Sequence, residues 1–257
     1  MVSIIQMTLT GSHGWQELSG SFGANPIEIA KGLEFSRDPA QIGAMPVLAK
    51  ICGLSTPEAV DAAVRAGASY VGFVFFPKSP RNVSAEQADA LARRVPDHVR
   101  KVGLFVDADV EFLASTIARV SLDIIQLHGS ESPAQAAALH ARYGMEVWKA
   151  IAVRTRADLM AGRDFREAAQ RLLYDAKPPP GSDLPGGNGL RFDWKLLEGY
   201  DHPAPFVLSG GLDPANVREA IGLTGARMVD VSSGVERAPG VKDVDKIAAF
   251  LQAVGAS

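Results

Sequence analysis

Three short apolar runs in this chain each end in a residue able to move a proton. Lys50 and Cys52 alternate with Ile51 in Lys50-Ile51-Cys52-Gly53, and Gln126 and His128 alternate with Leu127 in Gln126-Leu127-His128-Gly129. Asp175 shares a parity with Leu173 and Lys177, opposite Leu172, Tyr174 and Ala176. Side chains on a strand change sides at every residue, so one face of each run carries polar groups while the other stays apolar. A thiol and a carboxyl aimed into one space could serve as base and acid, or the thiol as a nucleophile. Taken singly, each has a plainer explanation: a lone cysteine is usually a small buried hydrophobe, an aspartate at a strand end a turn former or cap, and a solitary histidine a hydrogen-bonded structural residue. The convergence of three runs under one parity test favours chemistry. The five histidines and single cysteine show no metal-ligand spacing, so the expectation is a site with no metal and no cofactor.

Two further runs end in glycine-containing turns, Ser209-Gly210-Gly211-Leu212 and Ser232-Ser233-Gly234. Glycine lets backbone amides approach an anion closely, and a following helix N-terminus adds its positive end. Gly210, Gly211 and Gly234 therefore mark the expected phosphate site, the missing side chains of Gly211 and Gly234 admitting the anion. Between Asp175 and these turns, the stretch Pro178 to Gly189 is rich in Pro and Gly and has no apolar period. It reads either as a lid over the site or as a plain surface loop.

Positioning these groups requires a repeat of strands. From Val47 onward, apolar runs alternate with helix-period segments at intervals of roughly 25 to 30 residues. The strand candidates are Val47 to Gly53, Tyr70 to Phe76, Arg100 to Val106, Ile124 to Gly129, Glu146 to Val153, Arg171 to Lys177, Pro205 to Gly211 and Arg227 to Gly234. Each is followed by a helical pattern, among them Thr56 to Ala66, Ser84 to Val95, Val110 to Val120, Pro133 to Tyr143 and Pro214 to Leu223. Eight such units predict an α/β fold of the (βα)8 or TIM-barrel class, with eight parallel strands and catalytic groups at their C-terminal ends. Residues 45–257 are then the catalytic domain. Residues 1–44 fall outside the repeat as an irregular extension, with a capped start at Asn25-Pro26-Ile27-Glu28 for a short helix through Leu33. It is either dispensable or a cover for the N-terminal mouth of the barrel, and Met45 is the expected natural start.

The 257 residues suit one such barrel, and 47% hydrophobic with 21% charged residues is ordinary globular composition. A net charge of −3 leaves no basic excess for a nucleic-acid backbone or an anionic membrane, so a phosphorylated small molecule would have to be held by local geometry. One cysteine permits no intrachain disulfide, and the apolar run Ile4 to Leu9 is too short for a signal-peptide core. A cytoplasmic location is expected, with no nucleic-acid or membrane partner. The pattern fixes no oligomeric state.

Several segments together resemble one family. They are Lys50-Ile51-Cys52-Gly53, Gly72-Phe73-Val74-Phe75-Phe76 with Ser79-Pro80-Arg81, Gln126-Leu127-His128-Gly129, Asp175, Gly186-Gly187-Asn188-Gly189 with Phe192-Asp193-Trp194, Ser209-Gly210-Gly211-Leu212, and Asp230-Val231-Ser232-Ser233-Gly234-Val235-Glu236 with Pro239-Gly240-Val241-Lys242-Asp243. In this order, across about Pro46 to Val254, they are similar to phosphoribosylanthranilate isomerase. The resemblance implies Cys52 as general base and Asp175 as general acid, Arg81 on the anthranilate carboxylate, and the amides around Gly210, Gly211, Ser232 and Ser233 on the phosphate. His128 would line the pocket. Ser55 and Asn188 stand where the family often has Thr, and Asn188 bears on lid closure. The chemistry fits the residue types: opening an N-aryl ribosylamine needs a proton on the ring oxygen, and forming the ketose needs one removed from the adjacent carbon. A thiolate needs a positive charge nearby, which Lys50 is placed to supply. The other readings are a different phosphate-gripping barrel isomerase or lyase, and a degenerate barrel that binds a phosphorylated metabolite without turnover.

Overall fold

The computed structural model describes residues 46–179, 181–182, 184–187 and 189–257. The expected helix from Asn25 to Leu33, the proposed start at Met45, and Asn188 lie outside the described residues.

The eight expected strands form as β1 (Leu48–Cys52), β2 (Tyr70–Phe75), β3 (Arg100–Phe105), β4 (Ile124–Leu127), β5 (Glu146–Val153), β6 (Arg171–Ala176), β7 (Phe206–Leu208) and β8 (Met228–Val231). They pair in that order into a closed barrel, and β8 returns to β1 in parallel register. Except for β5, the strands stop earlier than the expected runs, whose last residues turn out into the loops at the C-terminal end of the barrel. Lys177 is the clearest case: it lies past the end of β6, leaves the face of Asp175, and pairs at the surface with Asp158 at 2.8 Å.

Among the described residues, six α-helices follow the strands: α1 (Pro57–Arg65), α2 (Ala85–Ala92), α3 (Val110–Arg119), α4 (Pro133–Tyr143), α5 (Val217–Thr224) and α6 (Val244–Gly255). Hydroxyl caps start the first two, Thr56 accepting from the Ala59 amide and Ser84 from the Gln87 amide. Such caps satisfy amides that have no partner within the helix. The expected start of α5 at Pro214 moves to Val217, because the Asp213 side chain takes the Ala215 and Asn216 amides into a turn. A helix does not follow every strand. After β5 the chain makes a 3-10 run, Arg156–Phe165, and after β6 only the single turn Trp194–Leu197. The latter has a simple cause: the prolines and glycines between Pro178 and Gly189 cannot sustain helical hydrogen bonds.

Packing separates two apolar regions. Outside the barrel, Ile51, Ile125, Leu127, Leu172 and Tyr174 meet helix residues such as Val60, Leu91, Val217 and Phe250. Inside, Tyr70, Val102, Ile124, Trp148, Leu173, Val207 and Met228 fill the N-terminal end, with Tyr70 and Trp148 edge to face at 5.3 Å. That aromatic contact is worth about 0.5–1.5 kcal/mol beyond its buried area. Above this floor lies a polar belt of Lys50, Gln126 and Asp230, and above the belt Cys52 packs with Val74 and Leu104. The barrel is therefore a packed core that can open only at the C-terminal ends of its strands.

Candidate active site

β1 delivers Lys50 and Cys52 inward on either side of outward-facing Ile51, as their parity requires. Lys50 is fully buried, and its Nζ donates to Asp230 Oδ1 at 3.0 Å and to Gln126 Oε1 at 2.9 Å. Burial by itself lowers a lysine pKa, but the charge of Asp230, with that of Cys52 in its ionised form, outweighs it and holds Lys50 above its ordinary value. Cys52 is also buried. Burial pushes its thiol up; Lys50 pulls it down, Asp230 pushes it up further, and the net direction is upward. Lys50 does lie beside the thiol and pulls its pKa down, but its ammonium is also paired with Asp230, and burial together with Asp230 outweighs that pull. Room for both side chains comes from Gly72, paired with Cys52 across β1 and β2, where a Cβ would lie 3.0 Å from Lys50 Cε and 3.1 Å from Cys52 Sγ.

Asp175 comes from β6, and its carboxylate is held at both oxygens. The Ala176 amide donates to Oδ1 at 2.8 Å, and His128 Nε2 lies 3.2 Å from Oδ2. His128 Nδ1 in turn faces Gln126 Nε2 at 3.2 Å. Two glycines let the chain close over this carboxyl. Gly210, at φ +83°, would place a Cβ 3.0 Å from Asp175 Oδ1, and Gly186 would place one 2.5 Å from Oδ2. Gly186, in the stretch after β6, therefore lies over the acid.

Cys52, Arg81, His128 and Asp175 line one cavity together with Gly210, Gly211, Ser232, Ser233 and the segment Leu184 to Gly187. Among the described residues, no protein acceptor takes the amide of Gly210 or Gly211. Gly234 has a different place from the one expected. It does not line the cavity, and its missing side chain makes room for the Leu212 carbonyl, joining the loops after β7 and β8. Nor does a long helix start at the second turn, since β8 is followed by the short 3-10 turn Ser233–Val235.

Arg81 is buried and its fork is engaged from within the protein. Nε and Nη2 donate to the two oxygens of Glu236 at 2.7 and 2.9 Å, and Nη2 also reaches the Gly187 carbonyl at 3.0 Å. This leaves Nη1 beneath Gly187. Glu236 also accepts from Lys242 Nζ at 2.8 Å. Burial works to raise the Glu236 carboxyl, but Arg81 and Lys242 prevail and hold it below the usual glutamate value. Lys242 donates to the Ser232 carbonyl at 2.8 Å as well, tying the ion pair to the loop after β8. Among the described residues no group of His, Cys, Asp or Glu is placed to hold a metal ion, and no helix is long and apolar enough to cross a membrane.

A thiol and a carboxyl on one mouth can exchange protons with a phosphate ester held by a loop of open amides. The profile of N-(5'-phosphoribosyl)anthranilate (PRA) isomerase matches residues 49–253. The chain belongs to the phosphoribosylanthranilate isomerase family. As a member it is an aldose–ketose isomerase of tryptophan biosynthesis. The N-(5'-phosphoribosyl)anthranilate isomerase of Paracoccus denitrificans is 56% identical over 207 residues, 80% of this chain and 96% of that one. The isomerase of Paramagnetospirillum magneticum is 52% identical over 209 residues, covering 81% and 97%. Among solved structures, phosphoribosyl anthranilate isomerase from Thermotoga maritima is 38% identical with a TM-score of 0.74, covering 82% of this chain and all (100%) of that one. A phosphoribosyl anthranilate isomerase in complex with reduced 1-(o-carboxyphenylamino)-1-deoxyribulose 5-phosphate is 36% identical with a TM-score of 0.72, again covering 82% and 100%.

Within the isomerase site, three charged residues escaped the reading of the sequence by parity. Asp230 could have been found, since it faces inward on β8 with Met228 as Asp175 does on β6 with Leu173. Glu236 and Lys242 could not. They meet only because β9 (Glu236–Ala238) and β10 (Val241–Lys242) fold into a small antiparallel pair beside the barrel.

Proposed function

We propose that Cys52 is the general base and Asp175 the general acid in the isomerisation of N-(5'-phosphoribosyl)anthranilate to 1-(2-carboxyphenylamino)-1-deoxyribulose 5-phosphate. Asp175 gives its proton to the ring oxygen as the C1–O bond breaks and the nitrogen lone pair forms the imine. Cys52, acting as its thiolate beside Lys50, then takes the proton from C2, and that electron pair becomes the C1–C2 double bond of an enolamine, which tautomerises to the ketose. The observation that carries this reading is the single cavity in which Cys52 and Asp175 stand on different strands with the Gly210–Gly211 turn between the stretch after β6 and β8. The amides around Gly210, Gly211, Ser232 and Ser233 hold the phosphate, with Gly234 letting the loop after β8 pack against the loop after β7. Closure of Gly186 over Asp175 keeps water from the imine, which would otherwise hydrolyse. That a related isomerase was crystallised with a reduced form of the product supports the substrate class.

Cys52 is the only cysteine in the chain, so alkylation tests the base directly. Because burial raises the thiol, reaction with iodoacetamide should be slow near neutrality and accelerate at alkaline pH, where the thiolate forms. Incorporation of about one group should abolish turnover, and a bound substrate analogue should protect. Full modification with activity retained would make Cys52 structural.

Arg81 holds the aryl carboxylate through the part of its fork that Glu236 leaves open. Arg81→Ala should raise KM roughly 10- to 100-fold, the loss of a charge-assisted contact of about 1.5–3 kcal/mol, with inorganic phosphate binding unchanged. An equal loss of phosphate affinity, measured by calorimetry, would show that the two ends of the pocket are reversed.

A further inference from the structure

One continuous hydrogen-bonded path crosses the barrel beneath the cavity, and it passes through residues that the acid–base reading leaves idle. Asp230 on β8 accepts from Lys50 on β1, Lys50 donates to Gln126 Oε1 on β4, Gln126 Nε2 meets His128 Nδ1, and His128 Nε2 meets Asp175 Oδ2 on β6. Lys50 and Gln126 have no accessible surface, and the side chains of His128 and Asp175 are 9% and 8% exposed. Water is therefore a poor substitute for any of these contacts.

The direction of the whole path follows from its first member. An ammonium can only donate, so the atom of Gln126 facing Lys50 at 2.9 Å must be the carbonyl oxygen. The other end of the same amide is then NH2, which can only donate, and it faces His128 Nδ1 at 3.2 Å. Nδ1 must present a lone pair, so the ring proton sits on Nε2 and points at Asp175 Oδ2. A second proton on the ring would bring an N–H against the Gln126 NH2, with no acceptor between them. Reversing Gln126 would set its NH2 against the Lys50 ammonium, leaving buried donors unpaired at a cost that buried sites do not tolerate cheaply.

We propose that Gln126 is a positioning residue that transmits the charge of Lys50 to His128, holding His128 as the neutral Nε2–H tautomer that fixes the carboxyl of Asp175. His128 then steers the acid and does not itself carry the proton. The effect on turnover rests on the reading of Asp175 as the acid; the tautomer does not.

The test is the 15N spectrum of the histidine-labelled full-length protein near neutral pH, with the His128 signal identified by its loss in His128→Asn. The expected result is a neutral ring protonated at Nε2. In Gln126→Glu a carboxylate faces both neighbours, so the ring proton should move from Nε2 to Nδ1, and kcat should fall about 100-fold because Asp175 loses the donor that places it, while KM changes less than about twofold. An Nδ1–H tautomer or an imidazolium in the unmodified protein would overturn the proposal, and so would an unchanged His128 signal in a folded Gln126→Glu protein. Should that variant fail to fold, the unmodified protein's spectrum still decides. If the tautomer is as expected and Asp175→Asn keeps full kcat, the failure belongs to the acid assignment and not to the path.

Discussion

Replacing Cys52 with alanine is expected to lower kcat at least 100-fold with KM little changed, and replacing Asp175 with asparagine to do the same. Cys52 lines the cavity but is assigned no part in holding the phosphate or the aryl ring in the proposed mechanism, so binding is expected to survive its loss. The pH dependence of the residual activity separates the two roles. With Cys52 removed, only the acid remains to titrate, and turnover should decline as pH rises. With Asp175 removed, only the base remains, and turnover should climb with pH toward the elevated thiol value. Slopes of the same sign in both variants would mean that the roles are shared or reversed. Asp175→Glu, which keeps the proton but displaces it, should retain partial activity where Asp175→Asn does not.

The second large effect concerns stability. Lys50→Met removes the cation from the belt and leaves Asp230, 4% exposed, buried without its counter-ion. Breaking one side of a buried pair costs about 3–5 kcal/mol, which in a chain of this size corresponds to a Tm lower by roughly 10 °C. Asp230→Asn added to Lys50→Met should recover much of that loss, since no charge then remains buried there. The folded-state pKa of Lys50 is raised, so the pair contributes fully below the ordinary lysine value of about 10.4 and is lost as pH rises through the elevated one. An unchanged Tm by calorimetry in Lys50→Met, together with an unshifted thiol, would show that the belt is not held by this charge.

What the sequence disclosed depended on period. Alternation along β1, β4 and β6 placed Cys52, Gln126 with His128, and Asp175 on inward faces, and the structure gathers them around one space. The eight strands were legible for the same reason, their apolar runs being short and evenly spaced. Parity fails where a strand ends: Lys177 lies just past β6 and turns away to Asp158. Glycine was ambiguous. Gly210 and Gly234 look alike as letters after a strand, yet one lines the cavity above Asp175 and the other gives space to the Leu212 carbonyl. The fork of Arg81 on Glu236 joins residues 155 positions apart, a separation that no local pattern encodes. The pairing of Lys50 with Asp230, which sets part of the lysine's charge against a partner other than Cys52, joins residues 180 positions apart and was not legible in the sequence.

The most direct measurement follows the fluorescence of freshly made phosphoribosylanthranilate after addition of the folded protein, with the product identified by mass and by its ketose chemistry. The account predicts that fluorescence decays far faster than spontaneous hydrolysis and that 1-(2-carboxyphenylamino)-1-deoxyribulose 5-phosphate accumulates without free anthranilate. Decay at the uncatalysed rate, or anthranilate as the product, would contradict it.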